Sequence, residues 1–388
     1  MVKKVFKKTK VLILFGLVLV LALTMGLAGC KKQQVVETIS ETTIQEEETS
    51  SDTNGQTTQE TDDKISGMEI TGNINILTGM EISDKVLNSR PLAIMVENTP
   101  DARPQSGLIN ADVVFEVVDE WNVTRFVAVF SSYDSDLVGP VRSARPYYAE
   151  IARSFDPIYV FWGTHPIFYK VIENLGLDYL SPLGDKNSSI TANFVDPGRG
   201  GGEGADAIRD TSRDVAFEHT AYVRLPRMKE IASKLGYKLE GGQSSFHFKI
   251  DSPESDRGDI SKITIDYSIP QYKSLFEYDS KNNKYVKSVA GSPSTDRESG
   301  EQIAVNNVIV MVTDIKETGN TNGHMIVRTT QEGEAFYFFD GKVTEGTWSR
   351  SSALDPFTFK DIDGNVVLFN RGNTWVGVIS GIDRVDYQ

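Results

Sequence analysis

One cysteine, Cys30, stands in 388 residues, so no intramolecular disulfide can form and packing alone must hold the fold. A lone thiol also removes cysteine-built metal sites. The four histidines, His165, His219, His247 and His324, are too scattered along the chain to suggest a ligand set. Neither a metal nor a cofactor is expected. The Gly-x-Ser-x-Gly elbow of serine hydrolases is missing, and Ser143 has proline and arginine neighbours rather than a base at fixed spacing. The glycine-rich run 196–204 carries an acid and lacks the Lys-Ser/Thr of a phosphate loop, which makes it a mobile surface loop. Positive charge is scarce as well: 40 Lys and Arg face 54 Asp and Glu. Removing the five lysines of residues 1–29, which hold no acid, takes the formal charge from −14 to −19. Such a surface argues against nucleic acid and against lying flat on anionic lipid.

What the chain does have begins at its N-terminus. Lys3, Lys4, Lys7, Lys8 and Lys10 precede an almost unbroken apolar run over residues 11–27, which closes in Leu27-Ala28-Gly29-Cys30. A basic start, an apolar centre and a small-residue cleavage site make an export signal. Its ending resembles the bacterial lipobox, in which cleavage before the cysteine leaves a lipid-modified Cys30 as the mature N-terminus. The alternative is an uncleaved anchor, because the run is nearly long enough to span a membrane. Two acyl chains would hold the mature chain stably at the extracytoplasmic face of the cell membrane. Residues 30–66 follow as a tether: beyond Cys30, nine acids face three lysines with almost no aromatic or large apolar content. Such a composition cannot offset its ordering entropy and predicts disorder.

The folded part reads as two portions. In residues 67–242, apolar runs at 91–97, 112–118, 123–130 and 157–162 predict strands, and 146–155, 167–175 and 226–235 predict helices. That alternation indicates a mixed α/β domain. In residues 243–388 helical periodicity fades into many short strands separated by turn signals, which indicates a β-rich domain, sandwich or barrel-like. Asp361-Ile362-Asp363-Gly364-Asn365 hints at calcium but lacks the rest of that loop, and a hairpin turn accounts for it.

The organising stretch is Gly139-Pro140-Val141-Arg142-Ser143-Ala144-Arg145-Pro146. Pro146 suits the first turn of a helix, where its missing N–H costs nothing. Two guanidinium groups and a hydroxyl at a helix start suit a carboxylate or phosphate. The other reading is two structural arginines paired with the chain's own acids. Candidate ligand-binding residues are Arg142, Ser143, Arg145, Arg125, Glu116, Asn98 and His165. Glu116 and Arg125 are further predicted to form a cross-strand ion pair. A four-residue loop, 119–122, would set them directly opposite, and a two-residue loop would make them diagonal neighbours on the same face.

Several stretches together resemble the YerB-like family of bacterial lipoproteins, whose function is uncharacterised. They are Ala102-Arg103-Pro104-Gln105-Ser106-Gly107-Leu108, Thr124-Arg125-Phe126, the arginine stretch, Gly346-Thr347-Trp348 and Gly372-Asn373-Thr374-Trp375. The resemblance runs from about Arg90 to the end, in two modules, and implies a fold outline and an envelope address without a mechanism. Two function classes follow. The first is a tethered binding or scaffold protein of the envelope that grips an anionic group on wall material or a partner protein. The second is a wall-active hydrolase or transferase with Glu116, Arg142, Arg145 and His165 around a cleft. The anchor is tested directly: Cys30→Ala should leave precursor or released protein in place of the membrane-bound form. Unchanged fractionation and gel mobility would instead establish the uncleaved helix.

Overall fold

The computed structural model describes residues 69–82, 88–132, 135–199 and 206–388, all within one compact unit. The expected export signal, Cys30, the expected tether and residues 200–204 of the glycine-rich run lie outside the described residues. Among the described residues no helix is long and apolar enough to cross a membrane.

The β-branched runs form a ten-stranded mixed sheet. Its order is Thr358–Asp361, Lys342–Arg350, Gln331–Phe339, Asn307–Val312, Thr374–Ile379, Val113–Val118, Thr124–Phe130, Leu92–Glu97, Ile158–Val160, Asp178–Leu180. Strands from both portions of the chain therefore share it. Thr374–Ile379, the last of these strands in sequence, lies at the centre, parallel to Val113–Val118 on one side and to Asn307–Val312 on the other. Alternation sends side chains to two faces, and both faces are covered. On one, Leu92, Ile94, Val96, Phe126 and Trp375 pack under the helix Leu225–Lys234 and a smaller sheet built on Lys262–Asp266, Lys273–Asp279 and Lys284–Val289. On the other, Met95, Phe115, Val127 and Val376 pack against the helices Pro146–Arg153 and Tyr169–Asn174 and an aromatic group that includes Phe246, Phe357 and Phe359. The mixed α/β character and the strand-rich C-terminal portion agree with expectation, and no closed barrel is found among the described residues. At the proposed calcium hint, the Asp361 carboxylate accepts from the backbone N–H groups of Asp363 and Asn365, an ordinary hairpin turn.

One expectation is overturned. The strands Val113–Val118 and Thr124–Phe130 do form a hairpin, but their register pairs Val117 with Arg125 and Glu116 with Phe126. Glu116 and Arg125 thus point to opposite faces and form no ion pair. The cause is an odd loop. Five residues, 119–123, separate the paired ends, with Trp121 at φ 60° and Asn122 at φ 62° in the turn Glu120–Asn122. A one-residue change of register flips every side chain across the sheet.

Asp112, at the foot of that hairpin, ties three segments together. Its carboxylate accepts from the N–H and the hydroxyl of Ser131, both at 2.6 Å, and its carbonyl accepts from Thr374 N–H at 2.9 Å. Burial pushes its pKa up from 3.8 to about 6, against the pull of the Ser131 bonds. A raised carboxyl pKa means the folded state takes up its proton before the unfolded state does. Asp112 therefore adds stability as pH falls from about 6 toward 4, and that contribution is lost as pH rises back through 6. At about 1.4 kcal/mol per unit, the difference is on the order of 2–3 kcal/mol. Asp112→Asn should flatten this part of the pH profile, read as denaturation midpoints at closely spaced pH values. Parallel profiles for the two proteins would show that Asp112 does not titrate there.

Candidate functional site

At the arginine stretch, the chain leaves the turn and enters the helix Pro146–Arg153 with proline in its first turn and Arg145 as N-cap. The carboxylates that meet this turn are the protein's own. Asp119 and Glu120, from the loop after Val113–Val118, are both buried. Arg125 Nη1 lies 2.7 Å from Asp119 Oδ2. Arg145 makes a two-pronged contact with Glu120, Nε to Oε1 and Nη2 to Oε2, the latter 2.9 Å. Tyr147 donates its hydroxyl to Asp119 at 2.7 Å. Burial opposes the Asp119 charge, but Arg125 and then Arg145 outweigh it and hold its pKa low. Glu120 moves the other way, raised by burial and by its charged neighbour Asp119. Arg125 is likewise disfavoured by burial and restored by Asp119, which leaves its pKa raised.

Arg142 takes a different partner. Its Nε lies 3.3 Å from Glu97 Oε2, which also meets His219 Nδ1 at 2.9 Å. Burial pushes the Arg142 pKa down, partly countered by Glu97, yet 23% of the side chain stays open to solvent, against 12% for Arg145. Ser143 donates its hydroxyl to Trp162 carbonyl at 3.2 Å and gives its own carbonyl to Arg125, so no base stands ready for it.

His165 lies on the other flank of Arg145. Its ring is 5.0 Å from that of His324 and 5.6 Å from that of Phe168, with the Arg145 guanidinium 5.8 Å over Phe168. Burial, His165 and Arg145 all push the His324 pKa down. The Phe168 and His324 rings border a cleft of about 220 Å³, lined also by Pro146, Tyr147, Ile326 and Val327. Its rim is strongly apolar: Ile167 is 61% exposed and Ile326 60%. Trp121, 67% exposed, lies over Gly323, one residue before His324. Its backbone sits in a left-handed conformation, which costs a bulky residue about 1–3 kcal/mol. Neither His324 nor this rim was singled out in the sequence. The exposed Trp in a polar loop, Asp-Glu-Trp-Asn, was the available signal.

Glu116 and Asn98 belong to a separate buried centre on the opposite face of the sheet. Asn98 Nδ2 donates to Glu116 Oε1 at 3.0 Å and to Thr124 Oγ1 at 2.7 Å. Glu116 Oε2 lies 3.3 Å from Trp375 Nε1 and 3.8 Å from Lys287 Nζ, which reaches across from the smaller sheet. The motif Arg103-Pro104-Gln105 closes the centre. Arg103 Nε and Gln105 Nε2 both donate to Asn98 Oδ1, at 3.0 and 3.1 Å. The seven candidate residues thus divide: Arg125, Ser143, Arg145 and His165 surround the arginine turn, Arg142 adjoins it through Glu97, and Glu116 with Asn98 stands apart. Among the described residues no group of His, Cys, Asp and Glu is placed to hold a metal ion.

The comparisons match this architecture. Residues 77–238 match the family described as a protein of unknown function (DUF3048), N-terminal domain, and residues 263–376 match its C-terminal domain. YerB of Bacillus subtilis (strain 168), provisionally named a lipoprotein, is 31% identical over 312 residues, 79% of this chain and 86% of that protein. The crystal structure of YerB superposes with a TM-score of 0.68 at 29% identity, covering 81% of this chain and 99% of the other.

The ion pairs make a graded prediction. Arg145→Ala strands two buried carboxylates beside a single arginine and should lower stability by about 3–5 kcal/mol. Arg142→Ala, on the more open side chain, should cost markedly less. Denaturant titration of the two variants separates them, and equal losses would make Arg142 as structural as Arg145.

Proposed function

This chain belongs to the YerB-like lipoprotein family, and from that premise we propose that it is a membrane-anchored extracytoplasmic binding or scaffold module of the cell envelope. The lipid on Cys30 fixes it to the membrane, and the acidic tether lifts the folded part clear. The observation that carries the reading is a set of exposed apolar side chains beside Arg145: Ile167 and Ile326 line the cleft, and Trp121 lies over Gly323, next to its His324. Soluble surfaces seldom cluster large apolar side chains this way without a partner, and an exposed tryptophan is a typical anchor for one. The strained turn that holds Trp121 outward fits the same role. The partner is a segment of an envelope protein or of wall material that offers an apolar group to the cleft and a carboxylate or phosphate to Arg142, the arginine with donor surface to spare. Its complementary charge must be local, because the chain as a whole is acidic.

The hydrolase or transferase reading has less support. It needs Glu116, Arg142, Arg145 and His165 around one cleft, and Glu116 is enclosed on the far face of the sheet. The test is photo-crosslinking in intact cells from position 121 or 326, with position 362 as control. Ile362 is 79% exposed, in the turn after the strand Thr358–Asp361, and does not line the cleft. Capture of one product from 121 and 326, none from 362, and weaker capture with Arg142→Ala is the expected result. Equal capture from all three positions, or none, would overturn the assignment of this face.

A further inference from the structure

The buried centre around Glu116 holds an arrangement that neither a binding surface nor simple packing requires. Lys287 is completely buried and its Nζ has no hydrogen-bond partner among the described residues, because Glu116 Oε2 at 3.8 Å is beyond that range. The amine instead faces the Trp375 ring at 4.7 Å and the Phe276 ring at 5.9 Å. Burial, with the nearby Arg103 charge, pushes its pKa down against the pull of Glu116. Desolvation in an apolar pocket is the setting that activates a lysine amine toward attack on a carbonyl carbon.

The other oxygen of the same carboxylate holds a carboxamide. Glu116 Oε1 accepts from Asn98 Nδ2, while Asn98 Oδ1 accepts from both Arg103 and Gln105. The orientation of the amide is settled by this network: two acceptors meet its nitrogen and two donors meet its oxygen. One carboxylate therefore stands between an unpartnered amine and a polarised amide, and two fixed donors wait where negative charge would collect on attack.

We propose that Lys287 and Asn98 are joined by an intramolecular amide bond that the folded protein forms by itself, with Glu116 as proton carrier. Lys287 Nζ advances from Oε2 to Cγ of Asn98 and forms the new C–N bond. Glu116 takes a proton from Nζ and delivers it to Nδ2. Arg103 and Gln105 stabilise the oxyanion on Oδ1. The bond from Cγ to Nδ2 breaks, and ammonia leaves. Amine and primary amide become secondary amide and ammonia, with no oxidant, metal or added reactant. The bond would tie the end of the strand Leu92–Glu97 to the strand Lys284–Val289 and so close a loop over much of the folded chain. In a protein that cannot form an internal disulfide, it would do what a disulfide does, by restricting the unfolded state.

The experiment is mass spectrometry of the full chain extracted from membranes, followed by proteolytic digestion. The expected result is a branched peptide containing both Asn98 and Lys287, lighter by one ammonia than its two parts. Lys287→Met and Glu116→Gln should each give linear peptides of full mass at Asn98. Free, unmodified Asn98 and Lys287 peptides from the wild-type chain would overturn the proposal, whatever the variants do. Loss of one water in place of ammonia would also overturn it, because Glu116 would then be the acceptor. A cross-link that persists in Glu116→Gln would remove the proton carrier from the scheme.

Discussion

Burying Asp119 is the constraint on which the arginine turn depends. A carboxylate with no exposed surface must be paired or give up its charge. Arg125 and Arg145 come to it from two different elements, a strand and a helix start, while Tyr147 adds a hydroxyl from the first turn of that helix. Glu120 then balances the second guanidinium. The network fixes where the helix Pro146–Arg153 begins, and that helix forms one wall of the cleft. Because each charge is neutralised inside the turn, the exposed surface beside it, with Ile167 and Ile326 at the cleft, is largely apolar.

Much of the fold was legible in the sequence because the strand signals are strong. Runs such as Val113–Val118 and Thr124–Phe130 are dense in β-branched and aromatic side chains, and they fall where periodicity puts them. The hairpin register was not legible. Two consecutive residues with positive φ, Trp121 and Asn122, are neither glycine nor a standard turn pair, and they add the single residue that reverses the faces. The short strands Asp178–Leu180 and Val385–Tyr387 were missed because three residues carry no period.

The candidate site was legible in part. The arginines were found from the spacing of proline, hydroxyl and guanidinium groups, but their partners arrive from a loop whose acids looked like ordinary turn residues. Lys287 left a fainter trace. In Lys284–Val289 it shares a face with Tyr285 and Val289, so alternation alone already turned a lysine inward. What could not be read is that its neighbour would be Glu116, because that contact depends on how the smaller sheet packs onto the larger one.

The central strand has a temporal meaning. Thr374–Ile379 follows every other strand of this sheet in the chain, yet it carries the hydrogen bonds that join Val113–Val118 to Asn307–Val312. Until it arrives, both of those strands present an open edge, and the sheet cannot close. Contacts this distant in sequence form slowly. Such lateness belongs to the topology itself: whatever the order in which the other strands pair, the body stays unfinished until Thr374–Ile379 takes its place between them.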